Sequence, residues 1–294
     1  MRILPCNLSR SVLQWNQYLQ WELDALIRLI ATDLDGTLLS GKSNLPQRNI
    51  EALRRAMAAG VYVVICTGRM LEAAIPMAES IGVNAPMVLF NGAMTYDRAA
   101  ERVISQTVIP RARAIEVLYA IEDVGTYVQA FPGRGYFYEK ACALTEYYRD
   151  KIGVTGAEVG CKLSDWLNSD VCKLLALGTL TETNALQRKL APLFPDIDFV
   201  KSGETHLEVI AKDVDKTAGL AQVCAHLGVQ PEEVMAFGDE QNDASMLRYA
   251  GAGYIMENAA PELKAQFRLV APANTACGVA DVVNLYLDEH RMGG

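Results

Sequence analysis

The chain has only three histidines, His206, His226 and His290, and they lie far apart. Its seven cysteines are scattered and include no CxxC pair. Zinc sites need clustered Cys and His, and a disulfide framework needs an even, patterned set. Neither is expected, and a reducing cytoplasm suits this usage best. No apolar run approaches the roughly 20 residues of a membrane span. Cations are in deficit, with 27 Lys and Arg against 35 Asp and Glu and a formal charge of −8. A nucleic-acid binder carries a basic face, so that class is not expected either. Repeats and low-complexity tracts are missing. What remains is a chain of 294 residues, 51% apolar, with length for one large or two ordinary domains. An anionic substrate stays compatible with the acidic balance only where local cations or a metal reverse the sign.

The stretch Ile30-Ala-Thr-Asp33-Leu-Asp35-Gly36-Thr37 organises the rest. Its apolar start, preceded by Leu26, Ile27 and Leu29, reads as a buried strand of a parallel sheet. Asp is a poor strand former, yet two close the run. Residues two apart on an extended backbone point the same way. Asp33 and Asp35 are thus placed to face one point beyond the strand's carboxyl end, where open α/β sheets bind ligands. Gly36 permits a sharp turn there. Alone, the same four residues also read as a strand followed by an Asp-Gly turn.

Helical stripes and short apolar runs then alternate. Pro46 opens a helix carrying Ile50, Leu53, Ala56 and Met57, and Gly60 closes it. A strand over Val61–Cys66 runs into Thr67-Gly68-Arg69, a helix over Leu71–Ile81 follows, and a third strand over Met87–Phe90 ends at Asn91-Gly-Ala. This β-α-β-α-β series predicts an α/β fold with a doubly wound, Rossmann-like parallel sheet whose strand ends share one rim. From about Thr95 the pattern changes to short strands and two helices, read as an inserted α+β unit over residues 95–203. The first pattern is expected back at Leu207–Ile210, with a core of residues 28–94 and 204–294. Lys216 stands just before a helix, and Val234–Phe237 ends at Gly238-Asp239-Glu-Gln-Asn242-Asp243. Residues 1–27 carry an apolar helical stripe that includes Trp15. They read as an extension packed on its own domain, a helix against a second subunit, a leader without structure, or the product of a misassigned start codon. Gln14, Asn16, Gln17 and Gln20 break the stripe, so a signal peptide is not expected.

Each polar tip has a bland reading. Thr67-Gly68 can be a helix cap, Lys216 a solvated surface lysine, Asp239 and Asp243 turn and cap residues. Their joint order at strand ends is what carries information. In that order the chain resembles the haloacid dehalogenase superfamily, and more closely its Cof-type phosphatases with a large α/β cap. Asp33-Leu-Asp35-Gly-Thr37 is similar to the first motif, Thr67-Gly68-Arg69 to the second, Lys216 to the third, and Gly238-Asp239-x-x-Asn242-Asp243 to the fourth. Asn91-Gly-Ala and Asn258-Ala also match. The resemblance spans about residues 28–285 and leaves 1–27 outside. Two positions depart from it: Thr217 follows Lys216 where Gly is usual, with Asp215 before it, and Cys277-Gly278 replaces Asp-Gly.

The resemblance implies a Mg²⁺-dependent phosphatase for small phosphorylated metabolites. By it Asp33 attacks phosphorus, and Asp35 protonates the leaving oxygen and later activates water. Mg²⁺ is held by the Asp33 carboxylate, the Asp35 backbone carbonyl and Asp239, with Asp243 a direct ligand or one layer behind. Thr67, Gly68, Arg69, Asn91, Lys216 and Asn242 hold the phosphate. The inserted cap closes over the site and contacts the leaving group, with Arg134, Tyr136, Tyr138 and Lys173 as candidates. The chemistry suits the residue types. A carboxylate nucleophile divides a slow hydrolysis into two steps, and a dianion among carboxylates demands a hard cation. A phosphomutase or phosphotransferase with the same nucleophile stays open, and so does a regulatory module phosphorylated on Asp. The first needs an acceptor alcohol, and the second has no use for a general acid or a cap. A homodimer is left open.

Overall fold

A computed structural model describes residues 26–41 and 43–290. The helix expected before Leu26 lies outside the described residues, as does any role for it.

Among the described residues fourteen strands follow in chain order: β1 (Leu29–Thr32), β2 (Tyr62–Ile65), β3 (Met87–Leu89), β4 (Met94–Asp97), β5 (Arg102–Gln106), β6 (Tyr127–Phe131), β7 (Phe137–Tyr138), β8 (Ala157–Glu158), β9 (Lys173–Leu177), β10 (Ile197–Lys201), β11 (His206–Ala211), β12 (Val234–Gly238), β13 (Ala252–Met256) and β14 (Leu269–Ala271). Five of them form one sheet in the order β14-β13-β12-β1-β2, and every pairing in it is parallel. All four residues of β1 are buried, as a strand covered on both faces requires. Alternate side chains serve opposite layers. Ile30 joins the core with Leu53 of the helix Gln47–Ala58 and Val283 of the helix Gly278–His290. Leu29 and Ala31 join the layer with Leu220 and Val223 of the helix Lys216–Leu227. This is the doubly wound arrangement that the alternation of elements predicts.

The insertion is built on a second sheet, in the order β10-β11-β9-β6-β7-β8. It is antiparallel except where β8 joins β7. Its own apolar core takes Ala114, Val117, Leu118 and Ile121 from the helix Arg111–Glu122 and Leu186 and Leu190 from the helix Leu180–Leu190.

Two stretches pair differently from expectation. Leu207–Ile210 does not rejoin the parallel sheet; it lies in β11, between β10 and β9. A buried apolar run looks the same in either sheet, and nothing in its periodicity names the partner. Residues 94–106 likewise do not begin the insertion's sheet. Phe90 and Asn91 both have positive φ, 51° and 56°. They turn the chain back, so β4 runs antiparallel to β3 and β5 to β4. The third strand therefore touches β2 through a single parallel bridge, Cys66 to Val88, and otherwise starts this small sheet.

Candidate active site

The carboxyl ends of β1, β2 and β12 meet on one rim. Asp33 extends the ladder past β1, its amide donating to Phe237 O at 3.0 Å. Its buried carboxylate accepts from Lys216 Nζ at 2.6 Å, and the same ammonium donates to Asp243 Oδ1 at 2.5 Å. Lys216 is the first residue of its helix and is 1% exposed. Asp215, one of the departures from the family pattern beside Lys216, is the cap of that helix; its carboxylate accepts from Ala218 N at 2.8 Å.

Asp243 holds the neighbouring turn as well. Its Oδ2 accepts from the amides of Asp239 and Glu240, each at 3.0 Å. Asp33, Asp239 and Asp243 bring carboxylate oxygens within 4.8 Å of one another, and all three are buried. Asp239 is steadied by Thr37 Oγ1 at 2.8 Å. Gly36 has φ +80°, and a Cβ there would lie 2.1 Å from Asp239 Oδ2, so only glycine fits. Asn258 Nδ2 donates to Gly36 O at 2.9 Å, which ties that second Asn motif to the first turn.

Asp35 stands apart from the triad. Arg69 Nε and Nη2 donate to its two oxygens at 2.7 and 2.8 Å. Arg69, expected on the phosphate, thus has its guanidinium committed to a neighbour. Thr67 Oγ1 accepts from Arg69 N at 3.2 Å. Asn242 Nδ2 donates to Asn91 Oδ1 at 3.0 Å, and both side chains border a cleft behind Lys216. Gly92, at φ +102°, lets the Asn91 turn meet this helix: a Cβ there would lie 1.9 Å from Asp215 O.

Burial pushes the Asp33 and Asp239 carboxyls well above the ordinary range, and the charge of Asp243 adds to both; Lys216 pulls Asp33 back in part. Burial alone would lower Lys216, but Asp243 and Asp33 outweigh it and keep the ammonium charged. At Asp35 burial works upward, yet the hydrogen bonds and charge of Arg69 win and hold it low. Three buried carboxylates thus meet with one ammonium, which pairs with only two of them, Asp33 and Asp243. The donors are hard oxygens, with no thiolate or imidazole in the triad, so a hard divalent cation fits and would relieve the repulsion.

Asp33, Asp35, Thr67, Gly68, Arg69 and Asn242 line one cavity with residues of the insertion. Lys173, named by sequence, is among them. Tyr148, Lys151, His206 and Glu208 were not foreseen, and neither was Glu240 of the core. Thr37 lay in view inside the first motif, without a role. Burial and the cations Lys151 and Lys173 push the His206 imidazole down to about 3, so it is neutral. Arg134 is exposed and absent from the lining, while Tyr136 and Tyr138 are buried in the insertion's packing. Tyr136 stacks on Phe131 at 5.5 Å, which accounts for its place.

A family model described as haloacid dehalogenase-like hydrolase matches residues 30–283. The chain belongs to this family. Among curated relatives, the Bacillus subtilis phosphatase YwpJ is 27% identical over 289 residues, covering 90% of this chain and 96% of its own. A second Bacillus subtilis relative, 5-amino-6-(5-phospho-D-ribitylamino)uracil phosphatase YcsE, is 29% identical over 270 residues, 88% of this chain and 96% of its own. A solved haloacid dehalogenase-like hydrolase from Bacillus subtilis superposes with a TM-score of 0.80 at 26% identity, covering 88% of this chain and 99% of its own. The protein is a phosphoric monoester hydrolase of this haloacid dehalogenase-like family. No helix among the described residues is long and apolar enough to cross a membrane.

Proposed function

We propose that this hydrolase cleaves small phosphorylated metabolites through an aspartyl-phosphate on Asp33, with Mg²⁺ as its cation. The observation that carries the reading is the Lys216 ammonium, buried between Asp33 and Asp243 at the rim where Asp239 completes the acidic triad. Relatives support the substrate class: one is named for a phosphoribitylamino-uracil, another for pyridoxal phosphate.

In this reading Asp33 attacks phosphorus and Lys216 offsets the charge that develops on the transferring oxygens. The Thr67 hydroxyl and the Asn242 amide orient those oxygens. Asp35, which Arg69 holds low, must first take up a proton from solvent; it gives that proton to the leaving oxygen, then takes one from the water that cleaves the acyl phosphate. Asp33 and Asp239 would hold Mg²⁺ with the Asp35 backbone carbonyl. Asp243 has its oxygens on Lys216 and on two amides, and so acts by fixing both. The cation supplies charge neutralisation for the incoming dianion. The inserted unit covers the site and shapes the leaving-group pocket, with Lys151, His206 and Tyr148 as its wall.

The test is a panel of phosphorylated metabolites, read by release of inorganic phosphate. Acid quenching at steady state, followed by peptide mass spectrometry, should find phosphate on Asp33. Turnover without any trace of acyl phosphate on Asp33, in wild type and in slowed variants, would overturn the covalent route.

A further inference from the structure

Lys173 belongs to β9 of the inserted unit, yet its ammonium grips the core. Nζ donates to the Gly68 carbonyl at 2.9 Å and pairs with Glu208 Oε2 at 2.7 Å. The two side chains are 1% and 5% exposed. Glu208 stands opposite Leu175 on the neighbouring strand, so Lys173, two residues from Leu175, is its diagonal neighbour on the same face. Ser202 Oγ completes the carboxylate at 2.9 Å. Nζ also lies 4.8 Å from the centre of the Phe131 ring, and Phe131 meets core Phe90 edge-on at 6.2 Å. At this contact the insertion thus brings a buried charge pair and an aromatic ring against the core.

Desolvating two charges is costly, and apolar side chains of similar size fill such a space as well or better. Stability alone does not account for the pair. What an apolar side chain cannot do is donate to a carbonyl, and the carbonyl is that of Gly68, between Thr67 and Arg69. The turn is already tight, since a Cβ on Gly68 would lie 2.9 Å from Asn91 Oδ1. Its next residue carries the guanidinium that forks onto Asp35.

We propose that Lys173 is a positioning residue: seated over the core, it fixes the Gly68 carbonyl and thereby sets Thr67 and Arg69 for the reaction, with Glu208 as the countercharge that keeps it buried. The inserted unit then completes the core's second motif instead of only covering it. This inference rests on the functional reading above.

The test replaces the whole pair, Lys173→Met with Glu208→Leu, so that no lone charge is left buried. Turnover of p-nitrophenyl phosphate should fall roughly 10- to 100-fold, the scale of a small misplacement near the chemistry. The melting temperature should not fall. Amide hydrogen exchange over residues 67–69 should quicken while β6 and β9 stay protected. Adding Arg69→Met should cost little more than Arg69→Met alone, because both act through one turn. Lys173→Arg, which keeps charge and donors, should recover most of the turnover. Unchanged turnover and exchange, or losses that multiply with Arg69→Met, would overturn the proposal. If the paired variant does not fold, Lys173→Gln decides it by exchange: loosening at 67–69 with β6 and β9 protected supports it, and equal exchange throughout or loosening only in β6 and β9 overturns it. A wild-type protein that hydrolyses no phosphate monoester would sink the functional reading and leave the exchange result to stand by itself.

Discussion

Arg69 and Asp35 form a forked ion pair across two strand ends, with Nε on Oδ2 at 2.7 Å and Nη2 on Oδ1 at 2.8 Å. The guanidinium is 3% exposed and the carboxylate 32%. An arginine without room to leave is thus holding the proposed acid and base in its ionised form. Arg69→Met should let burial raise the Asp35 pKa. The limb of the pH–rate profile that reports this carboxyl should then move to higher pH. Arg69→Lys should fall between, because it keeps the charge and loses the fork. An unmoved profile in Arg69→Met would mean that the ion pair does not govern Asp35.

The proposed mechanism gives the two opening carboxylates unequal tasks. Asp33→Asn should abolish turnover, since no neighbour can form the acyl phosphate, while the near-isosteric change leaves the fold intact. Asp35→Asn should lower turnover of an alkyl phosphate by about 10²–10⁴-fold. Its first step should suffer much less with p-nitrophenyl phosphate, whose leaving group hardly needs a proton, and acyl phosphate should accumulate. Burst kinetics on both variants measure this. Turnover surviving in Asp33→Asn, with no covalent species in Asp35→Asn, would reverse the roles.

The acidic triad predicts metal dependence. EDTA should stop turnover and Mg²⁺ should restore it. Excess Ca²⁺ should inhibit, because its looser coordination misplaces the nucleophile. Full activity in metal-free buffer would remove Asp239 from the mechanism.

Gly36 tests how tightly the first turn meets the fourth motif. Gly36→Ala places a Cβ against Asp239 Oδ2 in a left-handed backbone. The backbone strain alone costs about 1–2 kcal/mol. The variant should melt lower and need more Mg²⁺ for half-maximal activity. A wild-type metal requirement would show that Asp239 can move without consequence.

His206 should leave a signature in acid. Its folded pKa is pushed down to about 3, against about 6.5 for an unperturbed His. From pH 6.5 down to 3 the unfolded chain binds a proton that the folded one refuses. Stability therefore falls with pH in that window, by up to about 1.4 kcal/mol per pH unit from this group. Asp33 and Asp239, with raised pKa values, slope the other way, so the measurement is a difference between wild type and His206→Phe in urea melts. Parallel curves from pH 7 to 4 would mean that His206 is not held neutral.

The core side of the candidate site was legible because its signals are local. Asp33 and Asp35 are two residues apart, and Gly36 and the Gly238–Asp243 run sit directly after apolar strands. The wall facing them was not. His206 and Glu208 lie in an apolar run whose period fits either sheet, and Tyr148 and Lys151 sit on an ordinary amphipathic helix, Ala143–Ile152. Their place in one cavity with Asp35 is set by how the insertion meets the core, which no spacing encodes. Arg69 shows the other gap. Its place in the second motif was plain, but its bond to Asp35 spans 34 residues and depends on three-dimensional register.

The return strand β11 has a consequence for protein engineering. It carries His206 and Glu208 on the pocket wall, and the chain reaches Lys216 only five residues after it ends at Ala211. A chimera that exchanged the insertion at the boundary suggested by composition, near residue 203, would leave native β11 between two foreign strands, β10 and β9. It would also split Lys173 from Glu208. A transplant that respects the pairing must carry β6 through β11 as one piece and splice within residues 212–215, next to Lys216, which bridges Asp33 and Asp243. Exchange of specificity between relatives is therefore constrained most at the junction nearest the reacting atoms.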